Sequence, residues 1–336
     1  MKPDRIQLDH GSGGRISHDL VTGMMLPAFR NPLLEQLHDG AVMGIGGSRV
    51  AFSTDSYVVD PLFFPGGNIG DLAVNGTVND ISMCGAVPLY LSVGLIMEEG
   101  FPVDDLQRIL LGMSQAAESA GVWIVTGDTK VVPRGAADRI FINTSGIGIV
   151  PEGVDIRGDR AVAGDRVLLS GCIADHGMTI LTQREGLAFD HPIQSDTASL
   201  NRMVGRMLEV EPDIHVLRDP TRGGLGTSLN EIAMQSRVGI RIVEDRIPIR
   251  KEVAGLCELL GFDPLYVANE GKLIAIVPAE SAARVLDAVR QTPGGESASI
   301  IGDVVSDHPG RVRMQTRIGG VRIVDMLSGE QLPRIC

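Results

Sequence analysis

From about residue 40 onward, apolar runs of strand length alternate with segments whose apolar residues recur every three or four positions. Val50-Ala51-Phe52, Leu89 to Met97, Val122 to Val125 and Ile140 to Val150 read as strands. Asp104 to Ala120 sets Leu106, Ile109, Leu110, Met113 and Ala117 on one helical face; Pro102 and Asp104 open this helix and Gly121 closes it. A second helical run takes its inner face from Ile69, Leu72, Ala73 and Gly76 and carries Asp80. A glycine-punctuated, charged stretch from Pro151 to Asp165 interrupts the pattern, which then resumes. Its second half has a strand at Val167-Leu168-Leu169, helices near 197–210 and 226–237, a strand from Leu273 to Val277, a helix over 280–290, and short strands to about residue 325.

This mixture predicts an α+β (mixed α/β) fold in two domains, and a length of 336 residues agrees, because one hydrophobic core rarely serves so long a chain. The expected divisions are a glycine-rich N-terminal segment over 1–37, a first domain over 38–155, a second over 156–325 and a tail over 326–336. The tail has no sustained period and is expected to be mobile. Fully extended, it would span roughly 35 Å. In an extended tail Arg334 and Cys336 would share a side, with Pro333 biasing Leu332 to extended backbone.

Composition narrows the function classes. Hydrophobic residues make up 43% of the chain but aromatic ones only 4%, so the core is built from aliphatic side chains and methionine. A formal charge of −12 argues against general nucleic-acid binding, which calls for a basic surface. It is compatible with ATP if Mg²⁺ screens the triphosphate. No secretory pattern follows Met1, and the uncharged run Ile81–Met97 is shorter than the roughly 20 apolar residues of a membrane span, so a soluble cytoplasmic protein is expected. Cys84, Cys172, Cys257 and Cys336 lie far apart without a Cys-x-x-Cys pair, which speaks against a zinc knot or redox dithiol. Three read as core thiols, whereas Cys336 is the last residue.

Five stretches carry candidate chemistry. His10-Gly11-Ser12-Gly13-Gly14-Arg15 lets backbone N–H groups approach a phosphate, or makes a plain turn. Ser53-Thr54-Asp55-Ser56, Val78-Asn79-Asp80-Ile81 and Thr126-Gly127-Asp128-Thr129-Lys130 offer carboxylates; Asp55 and Asp128 are read as following strands, where α/β folds gather ligand groups. Three such carboxylates suit Mg²⁺, and they equally suit solvated strand ends and caps. Asp219-Pro220-Thr221-Arg222-Gly223-Gly224 runs into a helix start, a ready anion site to which Arg222 can add a clamp. Ala268-Asn269-Glu270-Gly271-Lys272 precedes a strand, and Glu270 can serve as a general base or simply pair with Lys272. Leu332-Pro333-Arg334-Ile335-Cys336 ends the chain, and no Gly-x-x-x-x-Gly-Lys-Ser/Thr loop is present.

Read in order, His10-Gly-Ser-Gly-Gly, Ser53-Thr-Asp-Ser with Asp60-Pro-Leu-Phe-Phe-Pro-Gly-Gly, Val78-Asn-Asp-Ile with Gly85-Ala-Val-Pro, Gly127-Asp-Thr-Lys-Val-Val, Asp219-Pro-Thr-Arg-Gly-Gly-Leu, Asn269-Glu-Gly-Lys and the ending Pro333-Arg-Ile-Cys resemble the HypE family of the PurM-like superfamily. The aspartate motifs are common to the superfamily, and the ending singles out HypE. The resemblance implies a PurM-like N-terminal domain that pairs with a second copy through an intersubunit β-barrel, a C-terminal α/β domain, and ATP held near the homodimer interface. It also implies chemistry. HypF delivers a carbamoyl group to Cys336, ATP activates its oxygen, loss of phosphate leaves a thiocyanate, and the HypC–HypD complex receives cyanide for the iron of nickel-iron hydrogenases. In that scheme Asp55, Asp80 and Asp128 hold Mg²⁺ and Lys130 meets phosphate. Gly11, Ser12, Gly13, Gly14, Thr54, Asn79, Thr129, Arg222, Gly223 and Gly224 contact the nucleotide, and Glu270 takes a proton from the carbamoyl nitrogen. Two rival classes, a PurM-like enzyme acting on a free small molecule and a non-catalytic carrier, differ in whether Cys336 or the aspartates can be dispensed with.

Overall fold

The computed structural model describes residues 5–187, 192–329, 332 and 334–336. An N-terminal helical arm consists of α1 (Arg15–Leu20), a π turn (Val21–Met25) and α2 (Leu26–Phe29). It leads into β1 (Ala41–Ile45), β2 (Ser48–Tyr57), the short hairpin β3 (Phe63–Phe64) and β4 (Gly67–Asn68), α3 (Ile69–Met83), β5 (Val87–Glu98), α4 (Val103–Ala120), β6 (Trp123–Val132) and β7 (Ile140–Val150). The strands pair in the order β1-β2-β7-β5-β6, all antiparallel except β5 and β6, which α4 joins as a parallel crossover.

The second half contains β8 (Arg166–Leu169), α5 (Asp175–Arg184), α6 (Asn201–Val210), β9 (Val216–Arg218), α7 (Gly224–Ser236), β10 (Gly239–Val243), α8 (Lys251–Leu260), β11 (Ile274–Val277), α9 (Ala282–Arg290), β12 (Ser299–Val305), β13 (Arg311–Gln315) and β14 (Val321–Val324). Its strands pair in the order β14-β13-β10-β12-β8-β11-β9. Among the described residues no helix is long and apolar enough to cross a membrane.

The helix α3 organises the molecule. Asn68 caps it by accepting from Gly70 N at 2.7 Å, and Asp71 returns the bond to Asn68 N at 2.7 Å. Only Asp71 and Asp80 of its residues escape full burial, because it lies between the first sheet and the second half of the chain. Ile81 and Leu91 of the first half share one core with Leu168, Ile180, Leu217 and Val285 of the second. Α4 begins after Pro102 and ends at Gly121, whose φ of +74° is the left-handed turn that the sequence anticipated there.

Two strand readings need correction. Asp55 and Asp128 lie inside β2 and β6 and do not follow them, because strand pairing carries through the polar Ser-Thr-Asp and Gly-Asp-Thr stretches. Hydrophobic patterning registers burial, whereas the ladder is a backbone property.

Asn79 joins the two halves. Its Nδ2 donates to Ala198 O at 3.0 Å and to Glu270 O at 3.2 Å, and its Oδ1 accepts from Leu200 N at 2.8 Å. Asn79→Ala orphans these buried groups, and we expect a loss of about 3 kcal/mol in stability, read from the urea midpoint at unchanged slope.

Candidate functional site at the junction of the two halves

Β2 and α3 bring Ser53 Oγ within 2.7 Å of Asp80 Oδ2, and Ser53 also donates to Asp39 O. Asp219 follows β9, at whose end Arg218 pairs with Asp39 at 3.0 Å and with Glu231 at 2.7 Å. One carboxylate oxygen each from Asp39, Asp80 and Asp219 thus falls within 4.8 Å of the others. Thr54, Asp55, Gly13 and Arg222 line the same cleft, which has a volume of about 230 Å³.

Burial and mutual repulsion set the charge state here. Asp80 is pushed well above the usual carboxylate range, first by burial and then by Asp219 and Asp39. Burial and Asp39 raise Asp219 to about 8 despite Arg218. Asp55 is raised by burial, against the pull of Arg222. Asp39 Oδ2 is buried without a hydrogen-bond partner among the described residues. Crowded, under-partnered carboxylate oxygens are the donor set of a hard divalent cation, so the cluster fits Mg²⁺. In the sequence Asp219 reads only as part of an anion loop, and the His38-Asp39-Gly40 stretch has no pattern that marks a ligand.

A neighbouring cavity of about 190 Å³ is lined by Gly11, Ser12, Arg222, Gly223, Ala268 and Cys336 among others. Arg222 borders both spaces. Gly13 has a φ of +76°, and a Cβ there would lie 2.7 Å from Arg222 Cβ; one on Gly14 would lie 2.4 Å from Leu327 O. These two glycines therefore let the N-terminal loop close over the protein's own backbone. Gly223 and Gly224, both at positive φ, start α7.

The tail ends inside this cavity. Val58 N donates to Cys336 O at 2.9 Å, Asp60 N donates to Arg334 O at 3.3 Å, and His176 Nε2 contacts Ile335 O at 2.7 Å. Cys336 is only 7% exposed. Burial raises its thiol to about 12, Arg222 opposing and Glu270 reinforcing the shift. Arg334 lines the same cavity as Cys336, but its backbone is not extended. Its φ is +52°, and its guanidinium reaches Val58 O and Asp138. Pro333 lies outside the described residues.

Glu270 is 4% exposed, and its Oε1 has no hydrogen-bond partner among the described residues. Burial, then Asp219, Asp196 and Asp55, push it well above its ordinary value. Asn79 does not face either cavity, since its amide is committed to the junction. Asp128, Thr129 and Lys130 are also elsewhere: β6 is the outer strand of its sheet, Asp128 pairs with Lys130 at 2.8 Å, and both are exposed. Asp55 faces Thr144, Thr144 faces Val93 and Val93 faces Gly127, so three strand spacings, roughly 14 Å, separate Asp55 from this stretch.

The chain matches the family "AIR synthase related protein", its N-terminal domain over residues 37–150 and its C-terminal domain over 162–315. It is 56% identical over 331 residues to the carbamoyl dehydratase HypE of Azotobacter vinelandii, covering 98% of this chain and 97% of that one. The chain belongs to the HypE family. A solved HypE in complex with ATP superposes with a TM-score of 0.84 at 55% identity, covering 99% of this chain and all of that one. A HypE–HypF complex gives 0.88 at 47% identity, over 92% of this chain and 99% of the matched one. The PurM-like two-domain architecture expected from the motifs is thus the architecture of solved HypE structures.

Proposed function

We propose that this protein is an ATP-dependent carbamoyl dehydratase that converts an S-carbamoyl group on its own Cys336 into a thiocyanate, the source of the cyanide ligand in nickel-iron hydrogenase maturation. The observation that carries this reading is the position of Cys336, buried between Arg222, Glu270 and the carboxylate cleft. Membership of a family whose relatives are named carbamoyl dehydratase supports it.

The γ-phosphoryl group of ATP passes to the carbamoyl oxygen, the nitrogen gives up two protons, and the C–O bond breaks with phosphate as the leaving group, leaving a C≡N bond on sulfur. An amide oxygen leaves poorly, so activation by phosphoryl transfer is the step that makes the dehydration feasible. Asp39, Asp80 and Asp219 would hold Mg²⁺, which supplies charge neutralisation for the triphosphate. Arg222, at the junction of the two cavities, stabilises charge on the transferring group. Glu270 accepts a proton from the carbamoyl nitrogen; its raised affinity for protons falls when the neighbouring carboxylates are neutralised. The raised thiol of docked Cys336 suits a neutral S-carbamoyl cargo and disfavours a thiolate. Loading by HypF and delivery to HypC–HypD therefore take place with the tail outside.

A second copy of the chain completes the assembly. Β6 is an unpaired edge whose Trp123, Val125 and Val131 are 73%, 58% and 65% exposed, and pairing it in an intersubunit β-barrel removes that liability. Asp128, Thr129 and Lys130 lie on the same edge strand, so in such a homodimer they would sit at the seam between the subunits.

Intact-mass measurement of the Cys336-carbamoylated protein tests the reading. Loss of one water on adding Mg-ATP is expected; an unchanged mass despite ATP binding would point instead to a PurM-like enzyme of a free small molecule.

Proton linkage gives a second test. Asp219 holds its proton more tightly in the folded protein, so this contribution to stability is complete below about pH 4, its unfolded value, and is lost as pH rises through about 8. Asp80 and Glu270 shift the same way. The melting temperature of the metal-free protein should fall between about pH 5 and about pH 9, and Mg²⁺ should reverse the fall at the alkaline end. A pH-independent Mg²⁺ stabilisation in differential scanning fluorimetry would count against this cluster as the cation site.

A further inference from the structure

The grips on the tail engage its main chain. The main-chain oxygens of Arg334, Ile335 and Cys336 are met by Asp60 N, His176 and Val58 N, so both halves of the protein hold the last three residues. Arg184 adds a bond to Arg334 O at 3.0 Å while also donating to Asp60 O at 2.6 Å. Within this set His176 is a wholly buried side chain whose two ring nitrogens are both engaged.

The chemistry of its partners fixes its tautomer. Ile335 O can only accept, so Nε2 carries the proton. Burial keeps the imidazole neutral, which leaves Nδ1 as an acceptor for Ser195 Oγ–H at 2.7 Å. Ser195 Oγ in turn accepts from Thr197 N at 3.1 Å. The ring is further held edge-on by Phe64, with centroids 5.6 Å apart. Its backbone is tied to the Asn269-Glu270-Gly271-Lys272 stretch: Ala174 N donates to Asn269 Oδ1 at 2.7 Å, and Gly177 N donates to Ala268 O at 3.1 Å. The turn that aims His176 at the tail is thus anchored beside Glu270.

We propose that His176, oriented by Ser195, is a positioning residue that latches the tail in its docked state and so sets how Cys336 divides its time between the cavity and solvent. The latch rests on the reading of Cys336 as a cargo carrier, and it deepens that reading by naming what holds the carrier in place. Because its hydrogen bond goes to a main-chain carbonyl, it serves bare, carbamoylated and cyanated cysteine alike. A latch has a signature that general structural support lacks: loosening it exposes the thiol while slowing the chemistry that needs the thiol inside.

The test is the rate at which iodoacetamide alkylates each cysteine of the full-length protein without ATP, resolved by peptide mass. His176→Ala is expected to speed the reaction at Cys336 about three- to tenfold, the worth of one buried hydrogen bond, and to leave Cys84, Cys172 and Cys257 at their original rates. His176→Gln, which can place an N–H near the same point, should restore much of the protection, and Ser195→Ala should give a smaller rise in the same direction. Single-turnover dehydration of the carbamoylated His176→Ala protein should slow by a similar factor. An unchanged Cys336 rate in His176→Ala overturns the proposal. Should all four cysteines react faster in that variant, Ser195→Ala decides, and an unchanged Cys336 rate there overturns it equally. Alkylation needs neither ATP nor a carbamoyl group, so failure of the dehydratase reading would leave this result standing, and the reverse.

Discussion

Cys336→Ala is expected to leave a folded protein that binds ATP and forms no nitrile, with product at the background of the mass measurement. Folding survives because the grips on the tail go to main-chain oxygens and to the Arg334 guanidinium, none of them to the thiol, and removing one buried sulfur costs on the order of 1 kcal/mol. ATP binding survives because the carboxylate cluster and the start of α7 do not include the thiol. Chemistry fails because the carbamoyl carbon has nowhere to be attached. Cys84 and Cys257 are buried, with their thiols raised, and Cys172 lines neither cavity of the site. Calorimetric ATP binding beside intact mass would check both halves of the expectation. ATP turnover on a free carbamoyl compound by the alanine variant would refute the role of Cys336.

Asp80→Asn should separate stability from activity in opposite directions. In the metal-free protein Asp80 sits in a buried, mutually repelling group with Asp219 and Asp39, so a neutral amide relieves the repulsion while it can still accept from Ser53. A rise of about 1–2 °C in the metal-free melting temperature is expected, the equivalent of roughly 1 kcal/mol for a chain of this length. Dehydration should fall by about two to three orders of magnitude, because a ligand to the cation is lost where phosphoryl transfer depends on charge stabilisation. Mg²⁺ should also cease to raise the melting temperature. A variant that lost activity and stability together would instead mark Asp80 as a structural residue of α3.

What the sequence by itself determined is the set of features that depend on local pattern. The α4 helix with its Gly121 stop, the strand from Ile140 to Val150 and the mixed α/β plan follow from periodicity and turn chemistry, which act over a few residues. The order of the glycine and aspartate motifs points to the PurM-like superfamily, and the ending Pro333-Arg-Ile-Cys to the HypE family. Tertiary structure alone decided which motif residues meet. Asp80 meets Asp39 and Asp219, Asp55 lines the same cleft outside that trio, and Asp128 is three strands from Asp55, because strand order in a sheet is not sequence order. Asn79 shares a motif with Asp80 yet turns to the opposite task, since adjacent helical residues point about 100° apart. The resting place of Cys336 likewise depends on partners at Val58, Asp60 and His176, far away along the chain, and such non-local contacts leave no periodic trace around the residues they hold.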